Sequence, residues 1–134
     1  MTTKPKLKVF IADDSSFIHD RLPGVLAEIS GVEVIGEAIN GNEALDSILK
    51  LNPDVVLLDI RMPGKTGIEV LSELKKEKPE LKVIMLTNYP YPQYRQKCME
   101  LGATYFFEKS NDFEKLFNVL KEMAAGQDEN NESG

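Results

Sequence analysis

VVLLDIRMPGKTGIEVLSEL, residues 55–74, packs an apolar run, a loop and an amphipathic stretch into one short segment. Val55 to Leu58 is apolar at every position. A run without alternation predicts a strand covered on both faces, as strands of a parallel sheet are. Asp59 closes the run. Thr66 and Glu69 have the spacing of a capping box, so a helix is predicted to start there, with Ile68, Leu71 and Leu74 on its buried face. The segment therefore reads as one strand–loop–helix unit with an acid at the strand's carboxyl end.

The same unit recurs along the chain. Further apolar runs are Leu7 to Ala12, Val32 to Ala38 (weaker at Gly36), Val83 to Leu86, and the aromatic run Tyr105 to Phe107. Helical spacing separates them: Ile18, Leu22, Val25, Leu26 and Ile29; Ala44, Leu45, Ile48 and Leu49; Phe113, Leu116, Phe117, Leu120 and Met123. These stripes read as core faces. Pro92 suits the first turn of a fourth helix and Gly102 its end, while Asn111 with Glu114 suggests a capping box for the fifth. Pro23 interrupts the first helical pattern, where a kink rather than a break is expected. Strict alternation of five strands and five helices predicts an α/β fold, a doubly wound parallel sheet with right-handed crossovers and helices on both faces. Residues 1–125 form one domain, and residues 126–134 read as a polar, disordered tail.

Bulk properties narrow the function. The chain has 134 residues, 42% of them hydrophobic, a usual size for one domain with one core. A net charge of −6 speaks against direct contact with nucleic acid. The single cysteine, Cys98, excludes an internal disulfide and reads as a structural thiol. No signal peptide or membrane span is apparent, so a cytoplasmic location is expected.

Polar residues gather where such a sheet places its ligands, at the carboxyl ends of strands. The first run ends at Asp13 and Asp14, the third at Asp59 and the fourth at Thr87, and Lys109 follows the fifth by way of Glu108. Two unit charges ~4 Å apart repel by about 4 kcal/mol at an effective dielectric of 20. Three carboxylates on one rim thus call for a cation. Oxygen ligands without Cys or His suit Mg²⁺ rather than zinc. With Lys109 opposite, the set reads as an electrostatic clamp for a phosphoryl group, and Asp59, at the centre of the sheet, as its nucleophile.

These residues, with DIRMPGKTG (59–67) and GATYFFEK (102–109), resemble the response-regulator receiver domains of two-component signalling, the family of the single-domain chemotaxis receiver. The resemblance runs from about Lys6 to Met123. It implies a flavodoxin-like receiver fold with strand order 2-1-3-4-5. It implies Asp59 as phosphoacceptor, and Asp13, Asp14, Asp59 and the backbone carbonyl of Arg61 as Mg²⁺ ligands. Thr87 and Phe106 take the switch positions and Lys109 that of the phosphate-pairing lysine. Met62, Pro63 and Gly67 match the loop after the acceptor, where a fixed proline φ and a permissive glycine let the chain wrap the site.

The resemblance further implies a histidine kinase or histidine phosphotransfer protein as donor. Output would pass to a protein target on the face of the fourth helix, fifth strand and fifth helix, from a monomer or a phosphorylation-dependent dimer. The chain would catalyse only its own phosphotransfer and dephosphorylation. The alternatives are the receiver part of a longer transcription factor and a pseudo-receiver that binds without phosphorylation. Retention of every acid and of Lys109 disfavours the second alternative. An aspartate-nucleophile phosphatase would need a second acid two residues after Asp59, where Arg61 stands.

Three positions depart from the common pattern. Ser110 replaces a proline often preceded by a cis bond, Asn88 follows the switch threonine where a smaller residue is usual, and Phe106 lacks tyrosine's hydroxyl. His19, beside Asp20 and Arg21, reads as a surface residue and not as a phosphodonor. NYPYPQY (88–94) reads either as an interface or as a loop packing its own rings.

Overall fold

The structure is a computed structural model that describes residues 5–133, with side chains as far as Gly126. Five strands and five helices alternate: β1 (Leu7–Ala12), α1 (Ser16–Ala27), β2 (Val32–Ala38), α2 (Gly41–Leu51), β3 (Val55–Leu58), α3 (Gly67–Glu77), β4 (Lys82–Thr87), α4 (Pro92–Glu100), β5 (Tyr105–Glu108) and α5 (Phe113–Ser133). The strands are all parallel, in the order β2-β1-β3-β4-β5. The expected α/β architecture and strand order are both present. The tail expected over 126–134 lies, past Gly126, outside the residues described with their side chains.

Unbroken apolar runs become central strands because each face of the sheet has its own helical cover. Phe10, Ala12, Val56, Leu58, Val83, Met85 and Phe106 point to one side, against Ala44 and Ile48 of α2, Val70, Leu71 and Leu74 of α3, and Cys98 of α4. Val9, Ile11, Val55, Leu57, Ile84, Leu86 and Phe107 point to the other, against Ile18, Leu22 and Leu26 of α1 and Leu116 and Leu120 of α5. Burying each such side chain contributes about 1.5–3 kcal/mol, so the two-sided core sets the register of every strand.

Helix ends follow the local chemistry. Thr66 and Glu69 form the expected capping box of α3. Ser15 caps α1 and Asn40 caps α2, each accepting from a backbone N–H three residues on. Pro92 stands in the first turn of α4, and Gly102 follows that helix at φ 101°.

The helix α1 runs on through Pro23 without a break, as expected, with Pro23 withholding a donor from the turn before it. Two expectations are corrected. Val25 is 41% exposed, because α1 turns only Ile18, Leu22 and Leu26 fully to the sheet. Asn111 does not cap α5: its amide and the Ser110 hydroxyl both donate to the Glu108 carboxylate, and the Leu116 N–H bonds to the carbonyl of Asp112 instead. The Lys109–Ser110 peptide bond is trans.

Candidate functional site

Hydrogen bonding between neighbouring strands fixes the rim. The first residue beyond a strand donates its N–H to the last carbonyl of the strand beside it: Asp13 to Ala38 (3.0 Å), Asp59 to Ala12 (2.9 Å) and Lys109 to Thr87 (2.9 Å). Sheet pairing thereby continues one residue past the apolar runs and brings acids and lysine to a common level.

Their side chains converge. Among the described residues one group of potential metal ligands gathers, Asp13, Asp14 and Asp59, with carboxylate oxygens within 4.8 Å of one another. The Lys109 ammonium bridges two of them, 2.7 Å from Asp13 Oδ2 and 3.2 Å from Asp59 Oδ2. The Ile60 N–H donates to Asp59 Oδ1 at 2.7 Å, and the Ser15 N–H to Asp13 Oδ1 at 2.8 Å. Asp13, Asp59 and Lys109 are buried, whereas Asp14 is exposed.

Electrostatics at the cluster are unbalanced. Burial and then the charge of Asp13 raise the Asp59 pKa above the ordinary carboxylate value, against the opposing pull of Lys109 and the Ile60 N–H. Burial alone would lower the Lys109 pKa; its bonds and charge interactions with Asp13 and Asp59 outweigh that and raise it. One ammonium among three carboxylates leaves net negative charge at a partly desolvated spot. That donor set of hard oxygens fits a divalent cation such as Mg²⁺.

The remaining expected residues surround this centre without bonding to it. Thr87 is fully buried at the end of β4, and its Oγ1 accepts the Tyr89 N–H at 3.0 Å. Phe106 is buried on the α4 side of the sheet, under the guanidinium of Arg95 at 4.8 Å. Arg61 lies on the loop after Asp59, with its exposed side chain 4.0 Å over the Tyr89 ring. The Tyr91 ring lies between those of Tyr89 and Tyr94, tilted to both, with centroids 6.4 and 5.5 Å away, so the tyrosine segment does pack its own rings. Asn88 is exposed and Met62 buried. Cys98 is fully buried, which pushes its thiol up to about 11 and leaves it unreactive.

The surroundings of His19 also differ from expectation. It is half-buried, with Nδ1 2.5 Å from Glu37 Oε1 and Nε2 2.5 Å from the Asp13 carbonyl. Both partners are acceptors, so an imidazolium donating twice satisfies them. Burial works against the charge, but the two acceptors outweigh it and raise the pKa. No signal near His19 in the sequence points to Glu37, since that contact joins α1 to the next strand, β2, and neither residue's local pattern encodes it.

Comparison with known proteins places these features in context. The family model described as response regulator receiver domain matches residues 9–121. The transcriptional regulatory protein YvfU of Bacillus subtilis is 36% identical over 121 residues, covering 90% of this chain and 60% of its own length. The chain thus spans about three-fifths of that relative. The receiver domain of NarL from Mycobacterium tuberculosis superposes with TM-score 0.82 at 28% identity, covering 91% of this chain and 98% of that one. The CheX–CheY–beryllofluoride–magnesium complex of Borrelia burgdorferi gives TM-score 0.76 at 28% identity, covering 86% and 90%. Among the described residues no helix is long and apolar enough to cross a membrane.

Proposed function

Because the chain belongs to the response regulator receiver family of two-component signalling, we propose that it is a phosphoacceptor switch in which Asp59 receives the phosphoryl group. The observation that carries this reading is the buried Asp59 carboxylate, held by Lys109 and the Ile60 N–H within an acidic cluster. Both Asp59 oxygens are oriented before any donor arrives, and preorganisation of this kind lowers the cost of reaching an in-line geometry. An Asp59 oxygen forms the new bond to phosphorus as the bond to the donor breaks, and the departing group keeps the electron pair.

Asp13, Asp14, Asp59 and the Arg61 carbonyl would hold Mg²⁺, which when bound neutralises charge on acceptor and phosphoryl oxygens. Lys109 supplies positive charge from the opposite side. The Thr87 hydroxyl, whose oxygen accepts from Tyr89, keeps its hydrogen to donate to a phosphoryl oxygen. Its movement would free space for Phe106 and bias the face of α4, β5 and α5 toward a protein target. The beryllofluoride and magnesium named for the related complex support this chemistry.

The donor is a histidine kinase or a histidine phosphotransfer protein. The chain catalyses only its own phosphorylation and dephosphorylation, since Arg61 stands where a phosphatase general acid would be needed. Acetyl phosphate with Mg²⁺ should add one phosphoryl group, lost in Asp59→Asn. Undiminished labelling in that variant would overturn the assignment.

A second reading concerns output. The transcription regulators it resembles are longer than this chain, which favours the receiver part of a DNA-binding regulator. An immunoblot of the natural polypeptide's size separates this from a stand-alone switch.

A further inference from the structure

Gly41 opens α2, one strand–helix unit away from the acceptor, yet its backbone meets the loop after Asp59 directly. Its N–H donates to the Pro63 carbonyl at 3.1 Å. A Cβ on Gly41 would stand 1.9 Å from the Lys65 carbonyl oxygen and 2.6 Å from its carbon. The side-chain Nδ2 of the next residue, Asn42, lies 3.1 Å from where a Cβ on Gly64 would be. The loop's tip is thus seated on the first turn of α2.

The base of the loop is closed separately. The Gly67 N–H donates to the Ile60 carbonyl at 2.7 Å, and a Cβ on Gly67 would meet the Asp59 carbonyl oxygen at 1.8 Å. Arg61 lies between these two fixed points. Gly41 has no left-handed φ that would by itself demand glycine. In a helix's first turn alanine is the better helix former. The contact with Lys65 is therefore what excludes a side chain.

We propose that Gly41 is a positioning residue for the metal-binding loop: the missing side chain lets α2 seat the loop's tip and so fixes where the Arg61 carbonyl stands relative to Asp59. This rests on the reading of that carbonyl as a Mg²⁺ ligand. Coupling between two equilibria is reciprocal. If the seat favours metal binding, bound metal must strengthen the seat, and the Gly41 amide must exchange more slowly.

The test is a Mg²⁺ titration followed by amide NMR and hydrogen exchange. Gly41→Ala, folded by its amide spectrum, should bind Mg²⁺ about tenfold more weakly than wild type. Gly24→Ala, with open space around it, and Ile48→Val, which loosens the core under α2, should keep the wild-type affinity. In the wild type, saturating Mg²⁺ should slow exchange at Gly41 with the same midpoint as the shift at Ile60. A folded Gly41→Ala with unchanged affinity, or exchange at Gly41 indifferent to Mg²⁺, overturns the proposal. Should Gly41→Ala fail to fold, the wild-type exchange measurement decides, with Asn42→Ala expected to weaken binding about threefold. Absence of any Mg²⁺ binding that Asp59→Asn weakens would instead remove the metal reading and this inference with it.

Discussion

Asp59 holds its charge against its surroundings. Its pKa is raised by burial and by Asp13, with Lys109 and the Ile60 N–H compensating only in part. A carboxyl whose folded-state pKa exceeds its unfolded-state value binds more protons when folded. Stability therefore falls as pH rises from the ordinary carboxylate value to the raised one, and the loss persists above it. Asp59→Asn removes that loss. Without divalent cations at pH 7.5 its Tm should exceed the wild type's by about 3 °C, and the gap should close at pH 3.5. Thermal melts at the two pH values check this, and a lower Tm at pH 7.5 would contradict it. Lys109→Met has the opposite sign, because it leaves Asp13 and Asp59 buried together without their cation. It should cost about 3 kcal/mol in metal-free buffer, the usual cost of breaking a buried pair. Mg²⁺ should restore part of that stability in urea melts.

The tyrosine segment at the start of α4 joins two parts of the rim. The Tyr89 N–H holds Thr87 Oγ1, the Tyr89 ring lies under Arg61, and Arg95 of α4 covers Phe106. The proposed withdrawal of Thr87 toward a phosphoryl group would break the first of these contacts. Three of the four tyrosines lie in this segment and the chain has no tryptophan. Adding beryllofluoride with Mg²⁺ should therefore change the tyrosine fluorescence, and Arg61→Ala should shift the starting signal. A spectrum unchanged by beryllofluoride would detach Thr87 from the segment.

Elements were legible from sequence where local pattern sets them and illegible where partners are distant. The apolar runs marked all five strands within a residue, and Thr66 with Glu69 marked the start of α3. Asn111 misled because Glu108, three residues back, draws both Ser110 and Asn111 to itself. Val25 misled because the apolar stripe from Ile18 to Ile29 is wider than the face that α1 turns to the sheet. The contacts of Gly41 with Lys65 and of His19 with Glu37 cross from one unit to another, so no spacing encodes them.

At the scale of the whole molecule, the site exists because strands far apart in sequence end at one level. Asp13, Asp59 and Lys109 each borrow a carbonyl from the neighbouring strand, and the acids' convergence is a property of the sheet. Strand ends and polar residue types were readable from the runs alone. The strand order came through the family resemblance, since alternation of strands and helices does not specify which strands are neighbours.

Cys98 gives this molecule a clock of its own. The lone thiol sits at zero exposure on the inner face of α4, in the core cluster that includes Met85, Ala103 and Phe106. A thiol-specific reagent in excess touches it only at moments when that helix lifts, so labelling speed counts the liftings. Pseudo-first-order labelling of the native chain should run at least ~100-fold slower than in urea, and occupation of the acceptor by beryllofluoride should alter the native rate. A rate altered in that way would record the proposed switching in a single sulfur atom, with no probe grafted onto the chain.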